Sequence, residues 1–87
     1  MDDFQLAAPA AIIRLTNQFL EIDQDPRVTD CVTIVRGYTE LLALHPNSVH
    51  CVEKLRIGLR RLLALAYEKR QLGLVAQLGT LTNQLCR

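Results

Sequence analysis

The side chains able to do chemistry gather in one stretch of this sequence. VEKLRIGLRRLLALAYEKR, residues 52–70, carries Lys54, Arg56, Arg60, Arg61, Lys69 and Arg70, six of the chain's ten basic residues. At 100° per residue, Lys54, Arg56, Arg60 and Arg61 fall opposite a stripe of Leu55, Leu59 and Leu62. That pattern is an amphipathic helix with a basic outer face. Ile57 and Ala64 stand among the charges, where water alone gives no reason for an isoleucine. An apolar anchor ringed by Arg56, Arg60 and Arg61 is the make-up of a protein contact surface.

A second chemistry competes for the same residues. ELLALHPNSVHCVEKLRIGLRRL, residues 40–62, resembles in outline a helix-turn-helix, whose second helix enters the DNA major groove. Asn47, Ser48, His50 and Lys54 would then meet base edges, and Arg56, Arg60 and Arg61 would meet phosphates. The turn has His45 and Pro46 where such motifs favour glycine, and the net charge is only +1. DNA recognition is therefore the alternative and protein recognition the main expectation.

Catalysis and metal binding find little to stand on. His45, His50 and Cys51 are close in sequence, but no C-x-x-C pair or second cluster completes a tetrahedral site. The sequence has two histidines, no phosphate-cradling glycine loop and no nucleophile spaced from a base. Tyr38 and Tyr67 belong at the rims of apolar faces. No enzyme, cofactor, metal or small-molecule substrate is expected.

The three cysteines, Cys31, Cys51 and Cys86, are odd in number and unpaired in spacing, which suits buried thiols in a reducing compartment. The start MDDFQLAAPAAII has two aspartates where a secretory leader carries basic residues. Apolar runs such as LLALAY, residues 62–67, fall far short of the roughly 18 residues that span a bilayer. An intracellular, cytoplasmic protein without a membrane segment is the expectation.

The elements that must position these residues are helices. Pro9, Pro26 and Pro46 each precede a segment with apolar residues at helical spacing, and proline is best tolerated in a helix's first turn. In DQDPRVTD, Asp25 is placed to cap, Pro26 to open the helix, and Asp30 to add negative charge near its positive end. In HPNSVHCVEKL, Asn47 or Ser48 takes the cap. The first helix covers about 8–23, burying Ala8, Ile12, Leu15, Phe19 and Ile22. The second covers about 27–44 with Val28, Cys31, Val35, Tyr38 and Leu42, widened by Ile34 and Leu41. The third covers about 48–69, burying Val52, Leu55, Leu59, Leu62, Leu63 and Ala66.

Beyond Arg70 the stripe Leu74, Leu78, Leu81, Leu85 is roughly 90° out of phase with the third helix. One straight helix cannot aim both at a single core. A break near 70–73, with Gly73 as the left-handed residue, then leads to a fourth helix over about 74–86. The rival is one long kinked helix. The fold class is all-α, a single-domain bundle of three to four helices over residues 1–87, with 1–7 as a flexible lead-in. Opening on Met1, the chain reads as one complete small protein.

Size raises the question of association. A chain of 87 residues keeps roughly 5,200 Å² exposed and buries roughly 64% of its unfolded surface, yet 49% of its residues are hydrophobic. Some of that supply is expected in an interface, as a homodimer or half of a hetero-complex. The first candidate is Leu74, Leu78, Leu81 and Leu85, whose spacing is that of a helix seam; the second is Arg56, Ile57, Arg60 and Arg61. Residues 1–40 carry about −4 and residues 41–87 about +5, a split that lets the two halves attract each other. The expected function is a non-catalytic adaptor, regulatory or assembly subunit that docks through a helix face.

Overall fold

The computed structural model describes the backbone of residues 3–85 and the side chains of residues 9–85. Cys86 and the side chain of Ala8 lie outside the described residues. The chain folds as four helices, α1 (Asp3–Ile22), α2 (Pro26–Leu44), α3 (Val49–Glu68) and α4 (Leu72–Leu85), with no strand among the described residues. Links of three or four residues join them, short enough to set successive helices antiparallel side by side. α1 packs on α2, α2 on α3, α3 on α4 and α4 back on α1, which closes a small bundle. A helix of twenty residues is about 30 Å long, close to the 34 Å long dimension of the molecule.

The helix ends follow local chemistry. Asp25 caps α2, its carboxylate accepting from the Arg27 amide at 2.9 Å, and Pro26 occupies the first helical position. Asp30 falls beyond the first turn, which carries no acid, so its expected role at the helix end is not realised. α2 stops at His45, whose φ of −131° and ψ of 72° lie outside the helical region that a following proline disfavours. Pro46 lies inside a turn closed by the Ser48 amide donating to the His45 carbonyl at 3.0 Å. Ser48, two residues later, caps α3, its Oγ accepting from the Cys51 amide at 3.2 Å.

α3 and α4 are separate helices, not one kinked rod, but Gly73 does not break them. The left-handed residue is Arg70, with a φ of 58°. The Arg70 amide donates to the Tyr67 carbonyl at 3.0 Å and the Gln71 amide to the Ala66 carbonyl at 2.9 Å. These two bonds are the Schellman closure of a helix C-terminus, and they fix the position after Lys69 whatever residue occupies it. Gly73 lies within the first turn of α4. α1 also differs from expectation: it starts at Asp3, so residues 3–7 are helical and Pro9 stands inside the helix.

The core collects Ile12, Leu15 and Phe19 from α1, Val28, Val32 and Val35 from α2, and Leu55, Leu59, Leu62 and Ala66 from α3. α4 adds Leu74, Leu78, Leu81 and Leu85. Ile22, Ile34 and Leu41, expected inside, are exposed, while Val32 and Thr39 are buried in their place. α2 is thus turned so that Val32 and Thr39 face inward and Ile34 outward. A Cβ added at Gly58 would stand 2.8 Å from Val35 Cγ2, so Val35 settles against bare backbone of α3.

Candidate functional site

The close approach of α2 and α3 leaves a groove along their outer side. α2 contributes one ridge of Arg27, Asp30, Cys31, Ile34 and Tyr38. α3 contributes Lys54, Ile57, Arg61, Ala64 and Leu65, and the bare backbone of Gly58 forms part of the floor. The volume is about 650 Å³. Eleven residues separate Arg27 from Tyr38, so the groove runs about 16 Å, or three helical turns.

Its chemistry is apolar below and basic above. Ile34 and Ile57 form the lips and remain 47% and 44% exposed, although both are large aliphatic side chains. Cys31 lies beneath them with its thiol donating to the Gly58 carbonyl at 3.3 Å. Burial pushes that thiol's pKa up, and the nearby Arg61 pulls it down by less. The thiol thus stays protonated and unreactive at neutral pH. Lys54 and Arg61 are exposed on the rim. Arg27, at the far end, is bound to Asp25 at 2.8 Å and to Glu68 at 2.7 Å. Asp30 is the single acid among the lining residues.

The structure divides the expected site residues. Ile57 and Arg61 face the groove, whereas Arg56 and Arg60 lie on the flank of α3 turned away from α2. Leu74, Leu78, Leu81 and Leu85 are buried in the chain's own core, each with at most 6% of its surface exposed. The heptad-like spacing that marked them as a seam is filled by α1 and α3 of the same molecule. As folded, that face packs within the chain's own core. Arg27, Asp30, Cys31, Ile34 and Tyr38 were not singled out for the site; the glycine opposite Val35 was the available signal.

The helix-turn-helix geometry is also absent. The Arg27 guanidinium at the start of α2 reaches Glu68 at the end of α3, so the two helices lie antiparallel along their full length. A helix-turn-helix crosses its helices at about 90–120°. Ser48 spends its hydroxyl on the cap, and the His50 ring stands edge-on to Tyr38 with centroids 6.3 Å apart.

A separate charge cluster ties the ends of the elements together. Lys69 Nζ lies 3.2 Å from Asp23 and 3.0 Å from Asp25, joining the α1–α2 link to the end of α3. Hydrogen bonds from Arg27 and then Lys69 hold the Asp25 carboxyl far below the usual range. Arg27 likewise lowers Glu68, and the two aspartates raise Lys69. On the opposite side Arg36 donates to Thr16 Oγ1 at 3.2 Å and to the Asn17 side-chain carbonyl, pinning α2 to α1. Of these contacts, Lys69 with Asp23 and Asp25 joins the acidic half of the chain to the basic one, and Arg27 with Glu68 runs the other way.

Among the described residues no group of three or more His, Cys, Asp or Glu is placed to hold a metal ion. No helix among them is long and apolar enough to cross a membrane. Comparison of the chain with protein-family models, curated proteins and solved structures finds no match.

Proposed function

We propose that this chain is a non-catalytic protein-interaction module, an adaptor, regulatory or assembly subunit, that seats a partner helix in the α2/α3 groove. The observation that carries the reading is the pair Ile34 and Ile57, held half-exposed on facing lips over an apolar floor. Covering each of them contributes about 1 kcal/mol, half of what full burial of an aliphatic side chain supplies. Three turns is the length over which a docked amphipathic helix sets its anchors at i, i+3, i+4 and i+7. DNA recognition draws no support from an antiparallel hairpin in which Ser48 caps α3 and His50 packs against Tyr38.

The test is photocrosslinking in the cell of origin, with a benzophenone amino acid at position 57 or, as control, at the exposed Thr33 outside the groove. The expected result is a polypeptide adduct from position 57 that position 33 does not give. A nucleic-acid adduct, or equal labelling at both positions, overturns the reading.

A further inference from the structure

We infer that the occupant of the α2/α3 groove is an acidic amphipathic helix of a different protein, not a second copy of this chain; the inference rests on the docking reading above. With Arg27 held by Asp25 and Glu68, the groove carries Lys54 and Arg61 against Asp30 alone. In a two-fold dimer the same patch faces itself, so one basic rim of Lys54 and Arg61 would be set against another. Like charges opposed across an interface disfavour the pairing. A head-to-tail arrangement would need an acidic surface elsewhere on the chain. Asp23, Asp25 and Glu68 are already bound to Lys69 and Arg27, and the exposed Glu21, Glu40 and Glu53 stand one to a helix, so no helix of this chain presents two acids seven residues apart. The groove's charge is therefore answered from outside.

The spacing of the rim charges specifies the partner further. Lys54 and Arg61 are seven residues apart on α3, two helical turns, or about 10 Å along the groove. A helix lying along it answers both with acidic residues at positions i and i+7. Its apolar residues fall between Ile34 and Ile57.

The experiment is a display selection of helical 14-residue peptides with one face randomised, run against the full chain. Enriched peptides are expected to carry Asp or Glu seven positions apart beside an apolar stripe, and to be lost with Ile57→Glu. Arg61→Glu should weaken them roughly tenfold, and peptides with the facing acid changed to lysine should regain that loss. Groove-dependent peptides that are basic or uncharged overturn the acidic partner while leaving helix docking in place. Failure to enrich any peptide sensitive to Ile57→Glu overturns both. A concentration-dependent dimer in light scattering that Ile57→Glu dissolves overturns the inference in favour of a second copy. Circular dichroism of each variant separates loss of binding from loss of fold.

Discussion

At Gly58 the backbone of α3 lies so close to Val35 that an added Cβ would stand 2.8 Å from its Cγ2. Val35 is fully buried and β-branched, so it has no empty space and no easy rotamer into which to retreat. Alanine at position 58 gains about 1 kcal/mol of helix propensity and meets an overpacking cost of about 1–3 kcal/mol. Gly58→Ala is thus expected to destabilise by about 1 kcal/mol net. Gly37→Ala, with nothing within 4 Å, should stabilise by up to about 1 kcal/mol. Urea unfolding of the two variants reads the difference directly. Arg70 offers the reverse case. Its φ of 58° strains any residue with a Cβ, so Arg70→Gly is expected to raise stability by about 0.5–1 kcal/mol in the same assay.

At the scale of elements, the cluster of Asp23, Asp25, Arg27, Glu68 and Lys69 fastens the α1–α2 link to the end of α3. Asp25 and Glu68 titrate below their unfolded values, so their contribution is present above about pH 4 and is lost as pH falls through the folded values. Lys69 titrates above its unfolded value, so its contribution is complete below about pH 10 and fades as pH rises beyond it. Stability should therefore be flat from about pH 5 to 9 and fall on either side. The groups are partly exposed, so the acid limb should be shallow, weaker in high salt, and reduced further in Asp25→Asn. Thermal melts from pH 2 to 7 at two salt concentrations check each point. Much of this framework was legible in the sequence, because Asp25 before Pro26 and Ser48 after Pro46 act within one turn of their own position. The phase shift between the α3 and α4 stripes likewise required a break or a kink near residues 70–73. The end of α3 falls where expected, but the left-handed residue is Arg70 and not Gly73: glycine is its usual occupant, whereas here two backbone hydrogen bonds impose that geometry on an arginine. The groove was half legible: Ile57 and Arg61 stood out on one helix, but Ile34 is turned outward by the rotation of α2 that buries Val32 and Thr39. Periodicity along a single helix carries no information about that rotation.

For the molecule as a whole, the surface decides how the apolar residues are spent. The exposed area of 5468 Å² is close to the roughly 5,200 Å² expected of a lone folded chain of this mass. α4 completes that shell: Leu78 is 1% exposed and Leu81 6%, so their contacts are with the chain's own core. A four, three, four spacing of leucines looks the same whether the covering helices belong to the same chain or to another. Mutation distinguishes the two. Total stability for 87 residues is about 4–13 kcal/mol, and removing a buried leucine side chain costs about 2–5 kcal/mol. Leu78→Ala should therefore lower the melting temperature by more than ten degrees, and Leu78→Asp, which leaves a buried charge without a partner, should abolish the helical signal. Ile57→Asp replaces a lip residue that is already half in water, so it should melt within a few degrees of the parent. Circular dichroism melts of the three variants give opposite orders for the two ideas. If Leu78→Asp stayed folded while Ile57→Asp unfolded, α4 would be the detachable face and the α2/α3 groove part of the core.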